Sequence, residues 1–153
     1  DKQKEVDQVF RLAPIRSWRY ISMTLVFVAA LFTLMGTFGI EGDLVIHWNE
    51  NGVPNDFAGK WILWAMLLLA FISMFTYSSL RKKRNGNDLL SVEMACAFSS
   101  GLVSTWTIAD VILVIYNLNP LAVIPEIGMV AIVCCYILFF MAAYIQKKTN
   151  NRS

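Results

Sequence analysis

The 153 residues are 57% hydrophobic and 16% charged, with a mean hydropathy of +0.54, whereas ordinary globular domains are about 45–50% apolar and about 25% charged. A formal net charge of +2 without a basic aromatic groove excludes nucleic acid as a partner, and three cysteines that all fall inside hydrophobic stretches exclude a disulfide framework or a zinc-finger spacing. The composition points to an all-α integral membrane protein, a single four-helix bundle over residues 1–153 in contact with membrane lipid.

Residues 1–17 read as an amphipathic lead-in, with Val6, Val9 and Phe10 on one side and Lys4, Asp7, Gln8 and Arg11 elsewhere, ending where Pro14 is expected to break the helix. The first span follows at about 18–40. Its apolar stretch exceeds the roughly 7–15 residues of a signal-peptide core, so it is expected to remain as a helix. A polar island, Glu41 to Lys60, then separates it from a second span at about 61–80. The island holds the single histidine, His47, and the acids Glu41, Asp43, Glu50 and Asp56. Leu44 to Trp48 is β-prone, Asn49, Asn51 and Gly52 favour turns, Pro54 holds Val53 extended, and Asn55 and Asp56 suggest another polar turn. An ordered outer loop is the expectation.

After the basic run Arg81 to Arg84 comes a third span at about 92–116. Ala97, Gly101, Thr105 and Ala109 recur at every fourth position, a stripe of small residues that lets a neighbouring backbone approach, and Ser99, Ser100, Ser104 and Thr107 add hydroxyls. This helix belongs at the centre of the bundle, its hydroxyls serving packing or lining a polar path. Asp110 lies about two turns below its outer end, where an ionised carboxylate costs on the order of 3 kcal/mol; it requires a partner or a proton, and Lys60, His47, Trp48 or a loop backbone donor are the expected partners. Glu93 is accounted for by the helix N-terminus. The turn Asn117 to Ala122 leads to a fourth span at about 123–145, in whose first turn Glu126 follows Pro125 as a favourable N-terminal charge. Cys96, Cys134 and Cys135 are expected to be small apolar packers.

Charge placement orients the bundle. Of the 13 Lys and Arg residues, all but Lys60 fall on one side of a four-span arrangement, which the positive-inside rule makes cytoplasmic, with both termini. Trp18, Tyr20, Tyr77 and Tyr144 then mark the inner interface, and Trp48, Trp61, Trp64 and Tyr116 the outer one. The same topology sends Asp43, His47, Asp110 and Glu126 to the outer end, where they are able to converge, although the cap position alone accounts for Glu126. A His with carboxylates suits a transition metal, but one His without a dedicated spacing does not make a metal site. There is no Gly-x-Ser-x-Gly, no Gly-rich phosphate loop and no nucleophile beside a base, so neither an enzyme nor a cofactor is expected.

Ile46-His47-Trp48-Asn49, then Gly52, Pro54, Asn55-Asp56-Phe57 and Gly59-Lys60, between two hydrophobic spans, resembles the signature of the membrane domain at the N-terminus of SdpI-type bacteriocin immunity proteins. The likeness covers about 15 residues and, with the flanking spans, the first half of the chain. Val45 stands where the signature has a proline, and the second half lacks the family's Gly-x-Arg and Trp-containing cytoplasmic motif. The resemblance implies a protein of the bacterial cytoplasmic membrane with His47, Asn49, Gly52, Pro54, Asp56 and Lys60 as signature positions; these, with Trp48 of the same loop and Asp110 and Glu126 from the topology of the bundle, are the expected binding residues. It implies recognition of a peptide toxin or membrane protein partner and signalling to a cytoplasmic regulator. The alternative is a small transporter or accessory subunit that uses Asp110 and the third-span hydroxyls. The charge asymmetry carries its own test: a cysteine placed at Asn51 is expected to react with an impermeant maleimide added to intact cells, and reaction only in inverted vesicles overturns the arrangement.

Overall fold

The computed structural model describes residues 2–49, 51, 53–77, 91–120 and 125–150, without the side chains of 2–16, 125, 126 and 150. In chain order these form α1 (Lys2–Gly39), β1 (Leu44–Trp48), β2 (Pro54–Ala58), α2 (Trp61–Ser73), α3 (Val92–Leu118) and α4 (Pro125–Asn150). Three stretches, Ser17–Gly39, Val92–Leu118 and Ile127–Thr149, are long and apolar enough to cross a membrane. At a rise of about 1.5 Å per residue each exceeds the roughly 30 Å of a hydrocarbon core.

Pro14 does not end the first helix, as the sequence suggested: α1 is continuous from Lys2 to Gly39. A proline removes one backbone bond and one donor, and a helix with long, well-formed flanks on both sides absorbs that loss. The second expected span is described only as far as Tyr77, and its regular part is the 13 residues of α2. The cause of the early irregularity is local. Ser73 Oγ donates back to Leu69 O at 2.7 Å, and the amides of Met74 and Phe75 reach the carbonyls three residues before them, Phe71 O at 3.2 Å and Ile72 O at 3.0 Å. At this tightened turn Ser73 O accepts from Thr76 Oγ1 at 2.8 Å and from Ser99 Oγ of α3 at 2.6 Å.

As expected, α3 is the central helix. Half of its apolar span is buried, against 22% for α1 and 11% for α4, and it packs on α1, α2 and α4. The small-residue stripe faces α4: a Cβ added at Gly101 would overlap the Tyr136 ring, 2.8 Å from Cδ1 and 2.9 Å from Cζ. Thr105 Oγ1 reaches Tyr136 Oη at 3.5 Å one turn higher. A different face meets α1 through hydroxyls, with Ser22 and Ser100 Oγ 3.0 Å apart and Thr107 Oγ1 donating to Leu25 O at 3.3 Å. Ser104 and Thr107 also bond to carbonyls of their own helix, Gly101 O at 2.8 Å and Val103 O at 2.9 Å. The hydroxyls with these bonds serve packing.

The outward faces are apolar. On α4, Met129, Val130, Val133, Ile137, Leu138 and Met141 are all exposed, a run of large apolar side chains suited to an apolar surrounding. Trp18 departs from its expected place at an interface: it is buried, edge-on to Phe139 at 5.6 Å, and its Nε1 donates to Gln146 Oε1 at 3.0 Å, tying α1 to α4. Among the cysteines the packing expectation holds for Cys96, which is buried, and fails for Cys134, which lies on the exposed face of α4.

The close approach at Gly101 gives a stability prediction. Gly101→Ala is expected to cost about 1–3 kcal/mol through overpacking, read as a lower thermal midpoint in detergent, and Tyr136→Ala in the same chain is expected to recover part of the loss. An additive double variant would place the overlap elsewhere.

Candidate functional site

The outer loop is a two-stranded antiparallel hairpin, so the fold is all-α except here. Leu44 pairs with Ala58, Val45 with Phe57, His47 with Asp56 and Trp48 with Pro54, with irregularities on either side of His47. The β-prone run Leu44–Trp48 is a strand as expected. Asn55 and Asp56, read as a turn, lie instead within β2, because pairing with β1 overrides weak local preference, and Pro54 occupies the first strand position, where its missing N–H costs little. The turn between the strands is organised by Asn49. Its Oδ1 accepts from the amides of Asn51 at 3.0 Å and Val53 at 2.9 Å, and its own amide donates to Val53 O at 2.9 Å. Gly52 lies outside the described residues.

Three devices fasten the hairpin to the bundle. Leu44 is fully buried among Ile40, Leu63, Leu113 and Val114. The Asn117 amide on α3 acts as a substitute strand: Oδ1 accepts from Val45 N at 2.7 Å, while Nδ2 donates to Val45 O at 3.2 Å and to Leu113 O at 2.9 Å. Lys60 Nζ donates to Thr37 O at 3.1 Å and to Ile40 O, placing an ammonium at the C-terminal end of α1, where it satisfies open carbonyls and complements the helix dipole. Gly42, with φ +77°, provides the reversal between α1 and β1.

This anchoring sorts the candidate residues. Lys60 and Asn49 shape the hairpin. His47, Pro54 and Asp56 are exposed on it, together with Val53 and Phe57. His47 Nδ1 and Asn55 Oδ1 are 2.6 Å apart; an amide oxygen only accepts, so this bond is donated by Nδ1–H. Trp48 turns inward, edge-on to Tyr116 at 4.7 Å. It lines an apolar cleft of about 330 Å³ beneath the hairpin, bounded by Ile46, Met66, Ala109, Leu113 and Met129. Trp48 Nε1 is buried there and has no hydrogen-bond partner among the described residues. Sequence reasoning missed this cleft because its walls come from four elements far apart in the chain.

Among the described side chains Asp43, His47 and Asp110 form no common cluster, and Asp110 is not held by the loop. It is fully buried in the seam between α1 and α3, where Oδ2 accepts from Thr33 Oγ1 at 3.1 Å and Oδ1 has no partner among the described residues. The reason is depth. The hairpin rests on Asn117, about two turns and some 10 Å above Asp110, and Lys60 is occupied at the end of α1. Asp43 is exposed, and Glu126 lies in the first turn of α4 with its side chain outside the described residues. Among the described residues no group of three or more His, Cys, Asp or Glu is placed to hold a metal. No family model, curated protein or solved structure matches the chain.

The Thr33 bond makes a prediction about Asp110. Asp110→Asn keeps an acceptor for Thr33 and is expected to fold at the wild-type level, whereas Asp110→Leu strands the hydroxyl and is expected to cost about 1–3 kcal/mol in detergent unfolding. Equal stability of the two variants would remove any structural role for the bond.

Proposed function

We propose that the chain is a multi-pass protein of the bacterial cytoplasmic membrane, a four-helix bundle with both termini inside, and that it is an immunity-type binding module of the SdpI kind. Its hairpin and the cleft beneath form the recognition surface for a peptide toxin or a membrane protein partner, and the basic inner face passes occupancy to a cytoplasmic regulator. The observation that carries this reading is Trp48 Nε1, a buried donor without a partner among the described residues, on a side chain that lines an apolar cleft, below a hairpin whose Val45 edge is bonded to Asn117. Leaving such an N–H unpaired costs about 1–3 kcal/mol. A peptide laid across the cleft supplies a backbone carbonyl for the indole and apolar side chains for the walls, while exposed His47, Asp56 and Phe57 meet its polar flank. This is the usual composition of a ligand site, apolar walls with a few placed polar groups.

One observation favours a second reading, a small transporter or accessory subunit: the unpartnered Oδ1 of Asp110 within the α1–α3 seam. The hydroxyls around it weigh the other way, since Ser99, Ser104 and Thr107 bond to backbone carbonyls.

Expression of the chain is expected to raise the tolerance of a sensitive Gram-positive cell to the peptide encoded beside its gene. Trp48→Phe, which keeps the ring and deletes the donor, and His47→Ala and Asp56→Ala are expected to lose at least tenfold of that protection at unchanged membrane levels. Full protection by all three variants assigns the hairpin to scaffolding, and no protection by the wild type shifts the assignment to the accessory-subunit reading.

A further inference from the structure

At the end of the bundle opposite the hairpin, a cavity of about 100 Å³ opens between the start of the α1 span, the residues after α2 and the first turns of α3. One water needs only about 10–15 Å³, so the space admits a larger group. Its lining includes Trp18, Arg19, Ser22, Tyr77 and Ser100, and among the described residues contains no carboxylate.

Hydrogen-bond accounting shows what it lacks. The Ser22 and Ser100 hydroxyls are 3.0 Å apart and both buried, at 5% and 1% exposure. Two hydroxyls carry two protons, and the bond between them uses one. The second has no acceptor among the described residues. Arg19 lies one turn before Ser22 on α1, the spacing that puts two side chains on the same side of a helix. It is exposed and has no hydrogen-bond or ion-pair partner among the described residues. A permanent cation beside the cavity, a spare O–H within it and the absence of a carboxylate from its described lining together call for an oxyanion.

We propose that this cavity binds the phosphodiester of an anionic phospholipid, with Arg19 and the Ser22–Ser100 pair each taking one of its non-bridging oxygens. A soluble phosphate shares that chemistry, and two features select the lipid. Arg19 and Trp18 stand in the first turn of the apolar span Ser17–Gly39, the level at which headgroups lie, and the same cavity is bordered by Met74 and the exposed Phe75, apolar surface on which an acyl chain can start. A single guanidinium also matches the single negative charge of a diester better than a phosphate dianion. The inference rests on the membrane setting proposed above and is independent of toxin recognition.

The full chain, purified in a non-ionic detergent, is to be probed with dioleoylphosphatidylglycerol, dioleoylphosphatidylcholine and inorganic phosphate, reading lipid retention by native mass spectrometry and the thermal midpoint. Phosphatidylglycerol is expected to be retained and to raise the midpoint, with phosphate and phosphatidylcholine doing neither. Arg19→Gln is expected to reduce retention at least tenfold, Arg19→Lys to keep most of it, and Ser22→Ala with Ser100→Ala to weaken it severalfold at unchanged helicity. Lys147→Gln, which removes an exposed charge at the same end of the molecule, is expected to change retention less than twofold. Undiminished retention by Arg19→Gln, or an equal loss in Lys147→Gln, overturns the site. Stabilisation by inorganic phosphate equal to that by the lipid overturns the lipid assignment.

Discussion

α3 touches three helices at once, and everything else in the molecule is arranged around the close approaches that this requires. Gly101 takes the Tyr136 ring where any side chain would overlap it, Ser99 reaches the carbonyl of Ser73, and the Ser100 and Thr107 hydroxyls meet α1. A central helix of Leu and Phe would hold its neighbours at a distance and bury no backbone contacts. In an apolar surrounding, where burial of greasy side chains gives little drive for helices to associate, small residues and interhelical hydrogen bonds supply the attraction. The outward faces of α1 and α4 are accordingly left to large apolar side chains that touch little of the protein.

The hairpin end follows from the same helix. Because α3 runs through the middle, its last turn carries Tyr116 and Asn117 up under the hairpin, and those two side chains set its position: the ring holds Trp48 edge-on, and the amide pairs with both backbone groups of Val45. An isolated two-stranded hairpin is marginal in water, and an open strand edge invites pairing with other chains. Asn117 answers both problems at one residue. Lys60 adds the second fixed point by closing the end of α1. The hairpin is therefore a rigid cover, with an apolar space between it and the helices rather than a loop folded down into them.

Much of this was legible in the chain itself. Hydrophobic runs located the helices, the four-residue recurrence of Ala97, Gly101, Thr105 and Ala109 identified the central one, and the β-branched and aromatic character of Leu44 to Trp48 marked the first strand. What escaped were features decided by a partner distant in sequence. Asn55 and Asp56 have turn chemistry, and only the neighbouring strand makes them extended. Trp18 has the composition of an interface marker, and only Gln146 and Phe139 make it a buried tie. Asp110 needed a donor, but spacing cannot tell that Lys60 is already committed to α1 while Thr33 faces the carboxylate.

Two buried polar atoms remain without partners among the described residues, Asp110 Oδ1 and Trp48 Nε1, and their settings differ in a way that bears on function. Asp110 is fully enclosed between two packed helices and already uses its other oxygen; anything that reached it would first have to part α1 from α3. Trp48 lies instead on the wall of an open cleft large enough for several apolar groups. An orphan donor of this kind is a standing cost to the free protein, and exchanging the indole for a phenyl ring would remove the donor while retaining the edge-on contact with Tyr116. An acceptor that enters the cleft recovers the bond once the indole turns its N–H toward the space it already lines, with α1 and α3 left packed. The Trp48 N–H is thus the place where binding can add most to what the fold has left undone, and this is why the cleft, rather than the buried acid, is the better foundation for a functional assignment.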